Sequence, residues 1–206
     1  QDEVEHGQNG AEGDIGAGET PAALLHSFQR KLETRVDISF INLGLTLHAN
    51  GQQVISGVTG RCVAGTLTAV LGPSGAGKTT FLNVLAGRSQ HGTVTGDVLF
   101  NGSLFESLRR FNDLIGFVPQ EDVMLRDLTV EETLMTYARL RLPRTTNAEQ
   151  QEAMVNDVIA VLGLAPVRYS VIGDVRYRGI SGGQIKRVNV AIEFVADPSV
   201  LFLDEP

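Results

Sequence analysis

A glycine-rich stretch in the first half of the chain carries the residue types needed to hold a phosphate group. It runs from Gly72 to Thr79 as Gly-Pro-Ser-Gly-Ala-Gly-Lys-Thr and matches the P-loop pattern G-x-x-x-x-G-K-[ST]. Glycines let backbone N–H groups curl round a phosphate without Cβ clashes, and a helix N terminus adds free donors. The pattern predicts that Lys78 reaches the β- and γ-phosphates of a nucleotide and that the Thr79 hydroxyl contacts Mg²⁺.

The residues on either side of this stretch predict the elements that position it. Residues 66–71 are apolar, rich in strand-forming residues and bounded by glycines, which predicts a buried strand. Residues 80–86 carry apolar side chains at helical spacing and lead to Gly87, a suitable helix end. The order of strand, glycine loop and helix disfavours the alternative of a glycine-rich loop with a stray lysine.

Two acids follow the last apolar run of the chain. Residues 200–203 are consecutively apolar, which is typical of a strand buried on both faces in a parallel sheet. In a P-loop protein such a strand ends in the Walker B aspartate, so Asp204 is expected to help hold Mg²⁺. Glu205 is expected on the opposite face, where it would accept a proton from the water that attacks the γ-phosphate, or orient that water. The alternative is a solvated acidic turn.

Composition narrows the class of protein. The 206 residues carry a net charge of −7, which argues against nucleic-acid binding through a basic surface. The chain has one cysteine, Cys62, so an internal disulfide is excluded and a reducing setting is expected. Apolar runs fall short of the 18 or so residues of a membrane span. Residues 1–20 predict a disordered acidic lead-in, and residues 21–35 carry a weak helical pattern.

The order of patterns along the chain indicates a sheet-based domain with a helical insert. Period-two alternation begins near Val36, and Asn50-Gly51 predicts a hairpin turn. Strands are predicted over residues 94–100 and 115–118. A helical insert is expected over about 120–177, with capping boxes predicted at Thr129 with Glu132 and at Thr146 with Glu149.

A second glycine motif opens another helix. Ser181 and Gln184 form a capping-box pair around Gly182 and Gly183. Lys186 and Arg187 lie at the start of this helix, where its dipole disfavours cations. The placement costs little if an anion docks there, which predicts a second phosphate-facing helix start. A capped surface helix with solvated basic residues is the alternative.

Ser181-Gly182-Gly183-Gln184 resembles the signature motif of ATP-binding-cassette (ABC) ATPases. The order of P-loop, signature and Walker B strand is similar to that family, and Gln120 matches its Q-loop glutamine. Residues 71–83, 118–122, 128–132 and 178–184 are similar to the G-type, or White, subfamily. The resemblance covers about residues 36–206. It implies an α/β P-loop NTPase (RecA-like) fold, with a mostly parallel core sheet, an N-terminal antiparallel β subdomain and an inserted α-helical subdomain.

The resemblance also implies roles for individual residues. Two cassettes pack head to tail, with ATP between the P-loop of one and the signature helix of the other. The expected ATP-binding residues are Gly72, Pro73, Ser74, Gly75, Ala76, Gly77, Lys78, Thr79, Thr80 and Gln120. The expected contacts to the partner's ATP are Ser181, Gly182, Gly183 and Gln184. Magnesium is expected at Thr79, Gln120 and Asp204, and catalysis at Lys78, Gln120 and Glu205.

The resemblance implies the motor domain of a half-size membrane transporter that exports a hydrophobic or lipid-like substrate. Its partners would be a second cassette, identical or different, and a C-terminal transmembrane domain, with this domain on the cytosolic side of the membrane. Residues 1–35 form the expected lead-in and residues 36–206 an incomplete cassette. Since the D-loop and the switch histidine follow Walker B in this family, residues 1–206 alone are expected to bind ATP but hydrolyse it poorly.

Two other classes share these motifs. A soluble twin-cassette ATPase of the ribosome-associated type is disfavoured by the acidic composition and the lack of basic insertions. A chromosome-maintenance ATPase is disfavoured because no coiled-coil heptads interrupt the helical insert.

Overall fold

The computed structural model describes residues 35–104, 114–174 and 177–206. The lead-in expected over residues 1–35 therefore lies outside the described residues, apart from Arg35. Within the described ranges, no helix combines the length and the apolar character needed to cross a bilayer.

Antiparallel strands near the N terminus form the first sheet. They are β1 (Ile38–Leu47), β2 (Gln53–Cys62), β3 (Gly92–Phe100) and the short β4 (Ser103–Leu104). Their spatial order is β2-β1-β3-β4. The hairpin predicted at Asn50-Gly51 is confirmed, because β1 and β2 pair antiparallel on either side of it.

A β-bulge explains why the buried side chains of β1 change phase. Ile38 and Phe40 are buried, and so are Leu43 and Leu45, so the alternation skips a residue between the two pairs. The register with both neighbouring strands shifts in this interval, where Asn42 has a φ of 51°. The bulge lets both apolar pairs face the same core.

The helix predicted after the P-loop is present as α1 (Lys78–Leu85) and packs on this sheet. Val84 and Leu85 are buried in the same core as the strands. The ring of Phe81 meets that of Phe40 edge to face, with centroids 5.3 Å apart. This contact fixes the start of α1 relative to β1.

The strand predicted directly before the P-loop is wrong, because residues 66–71 form no strand. Leu67 and Leu71 are 92% and 90% exposed. A strand forms only where a neighbour completes its backbone ladder, and no strand in the described part of the chain pairs with this run. Apolar composition alone was therefore not sufficient for the prediction.

A parallel pair forms the second sheet and confirms two predicted strands. It consists of β5 (Ile115–Val118) and β6 (Val200–Leu203), aligned from Ile115 opposite Val200 to Val118 opposite Leu203. All four residues of β5 are buried, as expected of a strand covered on both faces. The Asp204 N–H donates to the Val118 carbonyl at 3.0 Å, which continues the ladder past β6.

Three helices share a second core. They are α2 (Val130–Arg141), α3 (Ala148–Val161) and α4 (Gly182–Phe194), and a short 3₁₀ turn, Ala165–Val167, follows α3. Each contributes side chains to one apolar cluster that is separate from the core under the first sheet. The most deeply buried members of the cluster include Val130, Leu134, Val155, Val158 and Val188.

Capping boxes begin all three helices, and one of them lies one residue from its predicted position. Thr129 caps α2 with Glu132, and Ser181 caps α4 with Gln184, as predicted. For α3 the prediction of Thr146 with Glu149 is wrong, because Asn147 is the N-cap and pairs with Gln150. Asparagine is at least as good an N-cap as threonine, and the Thr146 N–H is used in a turn to Pro143 O.

Candidate functional site

Left-handed glycines give the P-loop its curvature. Gly75 has a φ of 79° and Gly77 a φ of 88°, a region that other residues adopt only under strain. Gly77 is also the N-cap of α1 and offers no capping side chain. The first N–H groups of α1 are therefore left for an outside acceptor, which is the arrangement that binds anions at helix N termini.

The ammonium group of Lys78 lies against its own loop. Its Nζ donates to the carbonyl oxygens of Gly72 and Pro73, both at 3.1 Å. These acceptors are neutral, whereas a phosphate oxygen is anionic and would form a stronger, ion-paired hydrogen bond with the ammonium. The lysine is thus held near the loop by bonds that a phosphate can replace.

Thr79 of the P-loop and Asp204, the residue after β6, are in direct contact. The Thr79 Oγ1 donates to the Asp204 Oδ1 at 3.0 Å. Asp204 is 4% exposed, so its carboxylate is largely withdrawn from water. Mg²⁺ prefers oxygen ligands, and a hydroxyl and a carboxylate each supply one, so this pair fits the cation that the sequence predicts.

The predicted catalytic pair is also in contact. The Gln120 Nε2 donates to the Glu205 Oε2 at 2.7 Å. Glu205 is exposed whereas Asp204 is buried, in agreement with the expectation that the two acids face opposite ways. In this structure the Gln120 amide hydrogen-bonds Glu205 rather than the Thr79–Asp204 pair, so its predicted contact with a metal stays a prediction.

The signature residues form a surface of their own. The Gln184 N–H donates to the Ser181 hydroxyl at 3.4 Å, and the Ser181 N–H donates to Gln184 Oε1 at 2.8 Å. Gly182 and Gly183 are exposed between them. Within the described ranges no hydrogen bond joins these residues to the P-loop, so the structure does not bring the two motifs together in one chain.

Open space surrounds the signature glycines. Among the residues that the structure describes, a Cβ added at Gly182 or Gly183 would meet no atom within 4 Å, and neither glycine has a positive φ. Glycine in a helix costs about 1 kcal/mol relative to alanine. The fold of this chain therefore gives no reason for glycine at either position.

The anion site predicted at the start of α4 stays a prediction, and the Lys186 side chain lies against a loop of its own chain. The Lys186 Nζ donates to the Gln120 carbonyl at 2.6 Å and pairs with Asp122 Oδ1 at 3.2 Å. Asn189, which the sequence analysis did not single out, donates to Pro119 O and Asp122 Oδ1, both at 3.3 Å. Polar residues at i and i+3 on the inner side of a helix were the available signal for this contact.

Two carboxyl groups, those of Asp37 and Glu132, have a pKa below the ordinary value. The Ala64 N–H, 2.7 Å away, and then the Arg61 guanidinium lower the pKa of Asp37. The Thr129 N–H and hydroxyl lower the pKa of Glu132 in the capping box of α2. The ionised form of Asp37 therefore holds Ala64, which lies between β2 and the P-loop.

Left-handed glycines that open a helix, together with a Thr79–Asp204 contact at the end of a parallel strand, define a P-loop nucleoside-triphosphatase domain. Comparison with known proteins agrees, since the family described as ABC transporter matches residues 55–206. The chain belongs to the ABC transporter family.

Similar members of this family occur in several organisms. ABC transporter G family member 28 of Arabidopsis thaliana is 47% identical over 171 residues, which are 83% of this chain and 15% of the relative. ABC transporter G family member 25 of Oryza sativa subsp. japonica is 46% identical over 79% of this chain and 16% of the relative. ABC transporter G family member 24 of Dictyostelium discoideum is 41% identical over 75% of this chain and 13% of the relative. The chain thus spans less than a quarter of the length of these relatives.

Proposed function

We propose that this chain is the ATP-binding and ATP-hydrolysing motor domain of a G-type membrane transporter, which exports a hydrophobic or lipid-like substrate. The observation that carries the proposal is the Thr79–Asp204 hydrogen bond, because it joins the P-loop helix to the end of β6 at the point where a nucleotide-bound cation would lie. The names of the relatives support the transporter class over a soluble twin-cassette ATPase.

The site residues take roles that their chemistry supports. The loop 72–80 and Lys78 would bind the phosphates of ATP, and Thr79, Asp204 and Gln120 would hold Mg²⁺. The cation would neutralise charge on the phosphates. Glu205 would accept the proton of the attacking water or orient it, and the Gln120 amide, 2.7 Å away, would fix that carboxylate.

The partner is a second cassette, identical or different, packed head to tail. Support comes from Gly182 and Gly183, because a side chain at either position would have free space among the described residues. A phosphate of the partner's ATP would approach the exposed start of α4 between Ser181 and Gln184. Because the D-loop and the switch histidine follow Walker B in this family, residues 1–206 alone would bind ATP but hydrolyse it slowly.

The whole protein is proposed to be membrane-integral through a transmembrane domain after the cassette, with residues 36–206 on the cytosolic side. The cassette itself would have a mostly parallel core sheet, with the first sheet as the antiparallel subdomain and residues 120–177 as the helical insert.

Fractionation of cells that express the protein at its native length tests whether the protein is membrane-integral. Recovery in the membrane pellet after alkaline washing is expected, whereas recovery in the supernatant would favour the twin-cassette class.

Nucleotide binding and hydrolysis test the motor assignment directly. The Lys78→Ala variant is expected to bind ATP about tenfold or more weakly, because it loses a charge-assisted bond to phosphate. Arg139→Ala is the matched control, since it removes one positive charge from an exposed position of α2. The motor assignment would be abandoned if the native-length protein hydrolysed no ATP, or if both variants bound ATP equally well.

A further inference from the structure

One face of α4 lies along the chain segment that leads from β5 to Gln120. The Lys186 Nζ bonds the Gln120 carbonyl oxygen and the Asp122 carboxylate. One turn further along α4, the Asn189 amide bonds the Pro119 carbonyl. The contacts therefore reach successive backbone groups of the loop that carries Gln120.

The same face continues to the end of β5. The Glu193 Oε2 accepts the Phe117 N–H at 3.2 Å and forms an ion pair with the Arg141 Nη1 at 2.8 Å. Positions 186, 189 and 193 are three and four residues apart, the spacing that places side chains on one side of a helix. Their backbone partners 120, 119 and 117 run in the opposite direction, so helix and loop lie antiparallel in continuous contact.

Burial makes this contact stiffer than an exposed ion pair. Asn189 is 4% exposed, and the side chains of Lys186 and Asp122 are 33% and 21% exposed. Asp122 Oδ1 accepts from both Lys186 and Asn189, and the Asp122 carbonyl accepts from Arg126 NH2 at 3.2 Å. Partners that share one acceptor restrain one another, so the loop has little freedom to move without α4.

We propose that Lys186 is a positioning residue for Gln120. Its ammonium fixes the Gln120 carbonyl, and this keeps the Gln120 side chain in contact with Glu205. The inference rests on the proposed function, since it takes Gln120 and Glu205 as the groups that act on the attacking water. Lys186 acts only through Gln120 and touches no reacting atom.

The position of Lys186 on α4 adds a link between two nucleotide sites. The N terminus of this helix carries Ser181, the residue proposed to meet the partner's ATP, and its body holds Gln120 of the chain's own site. A tilt of α4 caused by nucleotide at one end would move Gln120 at the other. Coupling of this kind needs an element that both sites bias, and α4 is proposed as that element because it begins at Ser181 and contacts Gln120.

Steady-state hydrolysis by the native-length protein tests the proposal. Lys186→Met keeps the aliphatic stem and removes the ammonium, and it is expected to lower kcat about tenfold or more, because small misplacement of a reacting group is costly. ATP affinity is expected to stay within about threefold, since no phosphate contact is lost. Lys186→Arg, which restores a cationic donor, is expected to recover at least about half of kcat. Arg139→Ala serves as the charge-matched control, and thermal denaturation is recorded for each variant.

The outcomes separate this proposal from the proposed function. If the unmodified protein hydrolyses ATP and folded Lys186→Met keeps kcat within about twofold of Arg139→Ala, the positioning role is rejected and the motor assignment stands. If Lys186→Met lowers only the melting temperature, the residue is structural and the proposal is again rejected. If the unmodified protein hydrolyses no ATP, the motor assignment itself fails, and this inference with it.

A double-mutant cycle gives a second test that does not depend on Lys186→Met alone. Asp122→Asn removes the charge that Lys186 pairs with and keeps the shape of the side chain. If the two residues act as one bridge, Asp122→Asn with Lys186→Met lowers kcat by no more than about twofold beyond the worse single variant. Effects that multiply would show that the residues act independently, and the bridge would be rejected.

Discussion

The Thr79 hydroxyl donates to the Asp204 carboxylate at 3.0 Å, although 125 residues separate the two in the chain. One lies in the first turn of α1 and the other directly after β6. This hydrogen bond holds the start of α1 and the end of β6 next to each other. The proposed Mg²⁺ site would use both of these oxygen atoms, together with Gln120.

Thr79→Val tests the structural side of this contact. Valine has the shape of threonine without the hydroxyl, so the Asp204 carboxylate, 4% exposed, would lose its side-chain donor. The expected loss of unfolding free energy is about 1–3 kcal/mol, measured by urea denaturation. Thr145→Val, at an exposed position, is the matched control. Equal denaturation midpoints for the two variants would contradict the prediction.

Glu205→Gln separates hydrolysis from binding. The amide oxygen of glutamine can still accept the Gln120 Nε2 hydrogen bond, so the local geometry is kept while the proton acceptor is lost. Hydrolysis is expected to fall about 100-fold or more, with ATP affinity retained and an ATP-bound dimer accumulating. Phosphate release and size-exclusion chromatography measure the two effects. Turnover close to that of the unmodified protein would rule out Glu205 as the base.

Gly182→Ala is expected to separate stability from assembly. The Cβ has free space and alanine favours a helix, so unfolding free energy should rise by up to about 1 kcal/mol. ATP-dependent dimerisation should fall, because the methyl group would stand where the partner's phosphate approaches. Gly179→Ala provides the contrast, since its Cβ would lie 2.0 Å from Ile172 O and should destabilise the fold by about 1–3 kcal/mol. Undiminished dimerisation of Gly182→Ala would argue against the head-to-tail contact.

Acid stability should depend on Asp37. Its pKa lies below the ordinary value of 3.8, mainly because of the Ala64 N–H, so its ionised form stabilises the fold above that value. This contribution is lost as the pH falls through the lowered pKa. When the pH falls from about 6 to about 3, the Asp37→Asn variant should therefore lose less unfolding free energy than the unmodified protein. Chemical denaturation at each pH measures this free energy. Arg61→Ala should keep most of the pH dependence, since the Ala64 donor remains; a flat response in Arg61→Ala would assign the effect to the ion pair instead.

Local patterns in the sequence predicted local structure well. The capping boxes at Thr129 and Ser181 are present because each depends on residues within one helical turn. Strands β5 and β6 were recognisable because an unbroken apolar run of four residues suits a strand covered on both faces. The one-residue error at Asn147 shows the resolution of such patterns where two good caps are adjacent.

Features that depend on distant parts of the chain could not be predicted in this way. Residues 66–71 have the composition of a strand, but a strand also requires a neighbour, which composition does not specify. The contact of Lys186 with a loop 66 residues away was not predicted, because it depends on how α4 packs. The contact between Gln120 and Glu205 likewise depends on the approach of two loops 85 residues apart.

The contacts of α4 with the loop that carries Gln120 do not tolerate an insertion or deletion within this helix. An α-helix turns by about 100° per residue. One residue inserted between Lys186 and Asn189 would therefore rotate Asn189 and Glu193 by about 100° relative to Lys186, so that the three side chains could no longer contact the loop together. Substitutions on the outer face of α4 can be absorbed singly, whereas an insertion or deletion would break several contacts at once. In this helix the contacts with the loop depend on the spacing of the side chains as well as on their identity.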